Sequence, residues 1–327
     1  MSFFTRLSAI FLTITLLSGC TKVRKTLVLA EVNPPDSVVA QMDQFFANEV
    51  KRLTNGEITI EVNSSSILGD ESAVINEMMT TKKIDLARIS LFTLTTIGSQ
   101  KAAVLTIPYL FNDRDHFWKF AKSDLASEIL DEFSSRPDGL KGIFLAEEGF
   151  RHFFSTHPLK DIGDLSGRKI RTTTDPILTE IINDFGSKAI HIPFYDVLKE
   201  LLVETIDTAE QPIVNYRSNF FDSAAPNVIL DGHTIGVIEV VITNKAWEEL
   251  TKSQQIAFLK AGENASAYCR ETCEKRENIV IDSLKSTGVN IVEVKDKTPW
   301  KNACSETIRK QAIKNTYLFE HITEMAD

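Results

Sequence analysis

The sequence predicts an α/β protein, because segments with the pattern of β-strands alternate with helical segments along most of its 327 residues. The length alone suggests two domains or one large α/β unit. No internal repeat, low-complexity tract or Gly/Ser-rich linker divides the chain. If there are two domains, we therefore expect the chain to cross between them several times.

Local patterns justify the individual elements. Asp36 or Ser37 can cap a helix that continues to about residue 53, and alternating apolar residues at 57–62 predict a half-buried strand. A β-branched run predicts a strand at 237–243. The predicted strands, in order, are residues 26–32, 57–62, 84–89, 143–146, 152–155, 170–171, 189–192, 208–211, 237–243 and 289–294. The predicted helices are residues 37–53, 71–82, 114–134, 176–185, 195–202, 213–221, 247–250, 253–284 and 299–327.

The charge balance limits the partners. The net charge of −9, without a basic block, argues against nucleic acid or an anionic membrane surface as the main partner. The hydrophobic content of 43% is ample for a packed core. An acidic chain that binds an anion must concentrate positive charge locally, which directs attention to its arginines.

Two arginines flank a polar turn in the middle of the chain. Arg151 precedes this turn, and Arg171 ends the segment Asp164-Leu-Ser-Gly-Arg-Lys-Ile-Arg171. A planar guanidinium keeps its charge and can hold a carboxylate through two parallel hydrogen bonds. If either arginine faces a cleft, the protein binds a small organic acid. The alternatives are a surface salt bridge for Arg171 and a structural ion pair with Glu147 or Glu148 for Arg151.

The N-terminal segment has the form of a bacterial lipoprotein signal peptide. Arg6 is positive, and residues 7–17 form an apolar run that is short for a membrane span. The run ends in Leu17-Ser-Gly-Cys20, which has the form of a lipobox whose cysteine is lipidated. The alternative is an ordinary signal peptide that carries a cysteine. We expect residues 1–20 to be this signal, with Cys20 as the lipidation site and an exported, lipid-tethered mature protein.

Three further cysteines leave two alternatives open. Cys269 and Cys273 are one turn apart on a predicted helix, a spacing that rarely suits a disulfide. Either one can pair with Cys304 in an oxidising compartment, or all three can be reduced, partly buried thiols. No cysteine or histidine pair shows the usual zinc spacing, so no metal site is predicted.

Motifs for catalysis are absent from the sequence. There is no G-x-S-x-G, H-E-x-x-H, P-loop or G-x-G-x-x-G motif. Glu147 and Glu148 are adjacent in a predicted strand, so their side chains face opposite sides and cannot share one substrate. The sequence therefore predicts no catalytic residue and no cofactor.

Several motifs, in order along the chain, resemble the periplasmic solute-binding proteins of TRAP transporters, the DctP-like family. The resemblance covers about residues 26–267. The most specific block is Asp164–Arg171, which is similar to the family's "DLkGlKiRv". The segment 207–212 resembles the family's "Dg-E-p" but lacks its glycine. The other motifs are Lys51-Arg-Leu-Thr-Asn-Gly-Glu-Ile-Thr-Ile60, Pro108-Tyr-Leu-Phe111 and Phe194-Tyr-Asp-Val-Leu-Lys-Glu-Leu201.

The resemblance implies a two-lobe, type II-like periplasmic-binding-protein fold, with mixed sheets flanked by helices and a long domain-spanning helix. The first lobe would comprise residues 26–148 plus 237–274, and the second lobe 149–236 plus 275–327. The lobes would close on a bound ligand like a hinge.

The resemblance also implies a site for an organic anion between the lobes. Arg171 falls on the arginine that fixes the ligand carboxylate in the family, and Arg151 on a second arginine often found beside it. The remaining implied ligand-binding positions are a polar clamp, an aromatic wall and two first-lobe positions that vary with the ligand, namely Gln211, Phe194, Ser90 and Asn33.

The implied function is that of an extracytoplasmic receptor, in the periplasm or at the cell surface. It would capture a small organic acid and deliver it to the membrane subunits of a TRAP transporter. One alternative is a ligand-sensing co-receptor of the same fold that acts with a sensor kinase, and another is a secreted enzyme acting on a carboxylic acid. C4-dicarboxylates, 2-oxo acids, aromatic acids and sugar acids all remain open as ligands.

Overall fold

The computed structural model describes residues 24–326, so the predicted signal peptide and Cys20 lie outside the described residues. Within that range the chain forms nine strands and fourteen α-helices. The strands are β1 (Lys25–Ala30), β2 (Ile58–Asn63), β3 (Leu86–Ser90), β4 (Leu140–Ser155), β5 (Lys169–Thr172), β6 (Lys188–His191), β7 (Thr208–Pro212), β8 (Asn227–Thr243) and β9 (Asn290–Glu293). The helices are α1 (Val38–Leu53), α2 (Glu71–Thr80), α3 (Leu91–Thr96), α4 (Gln100–Leu105), α5 (Arg114–Ala121), α6 (Asp124–Leu130), α7 (Pro176–Asp184), α8 (Val197–Leu202), α9 (Ile213–Ser218), α10 (Asn244–Glu248), α11 (Lys252–Ser286), α12 (Thr298–Ala303), α13 (Ser305–Ala312) and α14 (Thr316–Glu324).

Two long antiparallel strands, β4 and β8, connect the two halves of the molecule. The strand order is β2-β1-β3-β8-β4-β7-β5-β6, and β9 pairs with β8. On one side of this pair, β1, β2 and β3 run parallel to one another, and on the other side β5, β6 and β7 do so. The register of β4 against β8 shifts between Glu147 and Phe150. Each half therefore has its own parallel strands, joined through one central pair.

The long helix α11 spans both halves. Its 35 residues correspond to about 52 Å at the rise of an α-helix. It begins with a capping box in which Thr251 and Gln254 satisfy each other's backbone N–H groups. Phe258 near its start and Leu284 near its end both belong to the same apolar core. The predicted α/β fold with a mixed sheet and a long helix is confirmed.

Three local predictions differ from the structure. The predicted helix 114–134 is two helices, α5 and α6, because Ser123 adopts an extended conformation at the N-cap of α6. The predicted strands at 143–146 and 152–155 are one continuous strand, β4. Helices α3 and α4 were not predicted, and each is only six residues long.

The C-terminal segment contacts both halves. Trp300 of α12 packs on Phe153 and Phe185, which lie in the predicted second lobe. Ile322 of α14 packs in the core of the predicted first lobe, and its carbonyl oxygen is 2.7 Å from Nε2 of His116. The lobe boundaries stay a prediction, and these contacts favour placing α14 with the first lobe.

The three cysteines of the described chain are free and buried. Cys269 donates a hydrogen bond to the carbonyl oxygen of Glu147, with the sulfur 3.1 Å away. Cys304 packs in a different core, beside Trp300. The alternative of three buried thiols therefore holds in this structure. From residue 24 to residue 326, no helix combines the length and apolar character that a membrane span requires.

Candidate ligand-binding site

A cavity of about 220 Å³ lies between the two halves, several times the space that one water molecule needs. It forms where β1, β3, β5 and β6 end, beside Arg151 in the middle of β4 and Gln211 near the end of β7. The structure brings all six predicted site residues to its wall: Asn33, Ser90, Arg151, Arg171, Phe194 and Gln211. Lining residues that sequence reasoning did not assign to the site include Glu71, Arg88, Phe92, Glu148 and Asn215.

Arg171 is a buried cation without an acidic partner. Strand β5 places it in the wall, with only 2% of the residue exposed. Nε donates to the carbonyl oxygen of Ile192 at 2.9 Å, and Nη1 has no hydrogen-bond partner. Burial lowers the pKa of Arg171 to about 10; the charge of Glu210 opposes this shift in part, and Arg151 adds to it. The site therefore holds a positive charge that the described residues leave uncompensated.

Arg151 differs because its charge is already paired. Nη2 is 2.7 Å from Oε1 of Glu210, and Nε donates to the other oxygen of the same carboxylate. The main structural partner of Arg151 is therefore Glu210, while Glu148, one of the two partners expected from the sequence, makes only a long ion pair with it at 3.9 Å. The guanidinium also lies over the ring of Phe92, with Cζ 5.1 Å from the centroid. These contacts fix Arg151 at the cavity wall.

A buried polar chain holds Glu210 in place. His233 Nε2 is 3.5 Å from Glu210, and Nδ1 is 2.7 Å from Asp231. Burial alone would lower the pKa of His233, but Asp231 and Glu210 raise it to about 9. Burial would raise the pKa of Glu210, but Arg151 and His233 lower it to about 2. At neutral pH the imidazolium and the carboxylate are therefore both charged, and together they position Arg151.

Arg88 anchors the first-lobe wall. Its guanidinium binds Glu31 at 2.6 and 2.8 Å and Glu71 at 2.6 Å. Glu31 also accepts from the side-chain amide of Asn33 at 3.0 Å, and Glu71 accepts from the backbone N–H of Ser90 at 3.2 Å. The two carboxylates that Arg88 binds therefore also hold Asn33 and Ser90, which are two of the predicted site residues. The sequence signal for this cluster was an arginine that directly follows and precedes apolar residues in the strand Leu86–Ser90.

Glu147 and Glu148 face opposite sides of β4, which confirms the prediction. Glu147 accepts from Trp118 Nε1 at 2.7 Å and from Arg114 Nε at 2.8 Å, away from the cavity. Glu148 lines the cavity. Its oxygens lie 3.5 Å from Arg88 Nη1 and 3.9 Å from Arg151 Nη1, so both ion pairs are long.

The rest of the cavity wall includes an aromatic ring, from Phe194, and a side-chain amide, from Gln211. Phe194 follows β6 and packs edge-on against Phe221, with centroids 6.0 Å apart. Gln211 lies in β7 opposite His152 of β4.

At the rim of the cavity, a hydrogen bond links α3 to the start of α7. The hydroxyl of Thr95 in α3 donates to Asp175, which also caps α7 by accepting from the N–H of Leu178 at 2.7 Å. This bond joins the two predicted lobes beside the cavity.

A two-lobe α/β fold whose cavity between the lobes holds a buried arginine without an acidic partner defines a solute-binding protein of the periplasmic type. The chain belongs to the bacterial extracellular solute-binding proteins of family 7, the DctP family, whose model matches residues 29–315. The predicted family and the predicted function as a TRAP solute-binding protein are thereby confirmed.

The relatives share nearly the full length of the chain. The 2,3-diketo-L-gulonate-binding periplasmic protein of Escherichia coli K12 is 26% identical over 279 residues, which are 83% of this chain and 81% of the relative. A TRAP periplasmic solute-binding protein from Xanthobacter autotrophicus Py2, solved with β-D-galacturonate, is 27% identical with a TM-score of 0.86 and covers 92% of this chain and 99% of its own. For the fold alone, the TRAP protein from Pseudomonas putida F1, solved with D-glucuronate, has a TM-score of 0.87 at 24% identity and covers 91% of this chain and 96% of its own.

Proposed function

We propose that this protein captures a small organic acid anion in the cavity between its lobes and delivers it to the membrane subunits of a TRAP transporter. The observation that carries the proposal is Arg171. Its guanidinium is buried, Nη1 is unsatisfied, and no acidic side chain of the described residues pairs with it. A buried charge without a partner is unfavourable, and a ligand carboxylate restores both the charge balance and the hydrogen bond.

The same pairing links binding to closure. The carboxylate and the guanidinium attract each other more strongly once the surrounding lobes exclude water. The ligand therefore stabilises the closed arrangement more than an open one, which is the requirement for a ligand-driven change of state. The bond between Thr95 and Asp175 adds a direct lobe-to-lobe contact to the closed arrangement.

The other predicted site residues have supporting roles in this proposal. Arg151 is the second basic contact, with its position fixed by Glu210. Gln211 and Asn33 supply amide groups, Ser90 supplies a hydroxyl, and Phe194 forms the apolar wall. This combination of one anion anchor, several polar groups and an aromatic surface suits a compact, polar organic acid.

Sugar acids are the first class of ligand to test. The relatives above bind or contain 2,3-diketo-L-gulonate, β-D-galacturonate and D-glucuronate. The proposal is binding without turnover, and it is supported by the family and the relatives, which are solute-binding proteins. We also propose a periplasmic or cell-surface location with a lipid anchor on Cys20, supported by the motif Leu17-Ser-Gly-Cys20.

A thermal-shift screen tests the proposal. The purified mature protein is heated with D-glucuronate, D-galacturonate and other carboxylic acids, and with D-glucose and D-galactose as matched sugars without a carboxylate. We expect at least one acid to raise the melting temperature, its neutral counterpart to have no effect, and Arg171→Met to abolish the shift. NMR spectra of the acid should stay unchanged after incubation with the protein. No response to any acid, or equal shifts with Arg171→Met, would contradict the proposal.

A further inference from the structure

The charges that face the cavity are nearly balanced before any ligand enters. Three arginines of the described chain line it: Arg88, Arg151 and Arg171. Arg88 is paired with Glu31 and Glu71, and Arg151 with Glu210. Among these three arginines, Arg171 alone lacks such a partner. One ligand carboxylate can therefore pair with Arg171, but a second carboxylate has no unpaired arginine in the cavity to bind.

Glu148 is the buried acidic residue of the cavity lining, and its contacts with the arginines are long. The residue is 5% exposed and lines the cavity. Its contacts with Arg88 at 3.5 Å and Arg151 at 3.9 Å are ion pairs beyond good hydrogen-bond length. In contrast, the oxygens of Glu71 accept from Arg88, from the backbone of Ser90 and from the hydroxyl of Thr93 at 2.5 Å. Glu148 therefore retains acceptor sites for a donor on the ligand.

The backbone fixes Glu148 in this orientation. Gly149 has φ of +94°, in the left-handed region, where the register of β4 shifts. A Cβ atom at this glycine would lie 2.6 Å from Oε1 of Glu277, so the strand passes close to α11 at this point. Glu147 on the other side is held by Arg114 and Trp118. Glu148 therefore keeps its carboxylate at the cavity wall.

Hydroxyl groups and carboxylates on a ligand would meet Glu148 differently. A hydroxyl can donate a hydrogen bond to the carboxylate, whose own contacts with Arg88 and Arg151 are long. A second carboxylate at that end has no proton to donate, and it meets like charge when Glu148 is ionised; burial raises the pKa of Glu148, and Arg88 and Arg151 oppose that shift. We propose that Glu148 is the specificity-determining residue that selects hydroxylated monocarboxylates, such as aldonates and uronates, over dicarboxylates. This inference rests on the proposed function.

Matched pairs of acids test this inference. D-gluconate and D-glucarate differ only in a terminal hydroxymethyl group against a carboxylate, as do D-galactonate and galactarate. Isothermal titration calorimetry with each pair gives a ratio of affinities for the wild-type protein. We expect the monocarboxylate of at least one pair to bind more tightly by about 30-fold or more, equivalent to about 2 kcal/mol. Glu148→Gln keeps the shape, removes the charge, and should reduce that ratio at least tenfold.

Two further variants test whether the charge of Glu148 itself sets the ratio of affinities. Glu148→Asp keeps the charge but withdraws it by one methylene, so it should weaken the monocarboxylate while still rejecting the dicarboxylate. Glu61→Gln, an exposed position on β2, should leave the ratio unchanged. If the wild-type protein binds dicarboxylates as tightly as monocarboxylates, or if Glu148→Gln keeps the ratio, the inference about Glu148 is wrong and the proposed function stands. If the wild-type protein binds no carboxylic acid, both fail.

Discussion

Replacement of Arg171 by methionine should stabilise the ligand-free protein while it abolishes binding. Methionine fills a similar volume without a charge. At neutral pH, Arg171 is protonated in the folded and in the unfolded chain, but the folded state holds the charge away from water. Because its folded pKa is lowered, this destabilisation is present below about pH 10 and disappears as the pH rises above that value.

The structure sets the size of the effect. The lowering of the pKa of Arg171 to about 10 corresponds to about 3 kcal/mol of destabilisation at neutral pH. The variant loses the hydrogen bond from Nε to the carbonyl oxygen of Ile192, which contributes about 1.5–3 kcal/mol. The net change is therefore between about zero and 1.5 kcal/mol in favour of the variant. In a protein of this size that raises the melting temperature by up to about 3 °C.

Arg151→Met is the matched control, since the same substitution there removes one partner of a buried ion pair. Glu210 would be left charged and buried, at a loss of about 3–5 kcal/mol. Melting temperatures of the two ligand-free variants at pH 7.5 should therefore move in opposite directions, and calorimetry should show no acid binding by Arg171→Met. If Arg171→Met is destabilised as much as Arg151→Met, Arg171 has a structural partner and the reasoning is refuted.

Four more predictions concern stability and anchoring. Burial raises the pKa of Glu239 from 4.5 to about 8, and Glu132 adds to this shift; the folded state therefore loses stability as the pH rises from about 4.5 to about 8, and the loss is complete above that value. Glu239→Gln should raise the melting temperature at pH 8.5 and change it little at pH 5. Equal effects at both pH values would show that ionisation of the buried Glu239 is not the cause of the change. Burial opposes protonation of His233, but its carboxylate partners raise its pKa to about 9, so about 3 kcal/mol of stability is present below pH 6.5 and is lost as the pH rises through 9. In urea titrations His233→Gln should lose most of this pH dependence, and an unchanged profile would count against a charged imidazole. Gly149→Ala should lower the melting temperature more than Gly288→Ala, because both sites have positive φ and only the former brings Cβ against another residue; equal losses would show that Glu277 moves aside freely. Cys20→Ser should move the exported protein from the detergent phase to the aqueous phase on Triton X-114 partition, and an unchanged distribution would argue for an ordinary signal peptide.

The sequence by itself determined the alternation of elements and pointed to Arg171 as a residue of the cavity wall. Strands and helices with strong local signals lie near their predicted positions, such as α7, which Asp175 caps and Pro176 begins. The block Asp164–Arg171 predicted a site residue because the motif and its arginine are contiguous in the sequence. All six predicted positions reached one cavity wall, although their individual roles in binding remain predictions.

The tertiary structure alone decided which charges are compensated. Arg151 pairs with Glu210, 59 residues away, and Arg88 pairs with Glu31, 57 residues away. No local pattern reports such pairs, because the register between β4 and β7 and the pairing of β1 with β3 set the distances. The same holds for Glu148, whose exposure to the cavity depends on the register shift at Gly149. A sequence names the ionisable groups, but their electrostatic energies depend on burial and on neighbours that only the folded chain brings together.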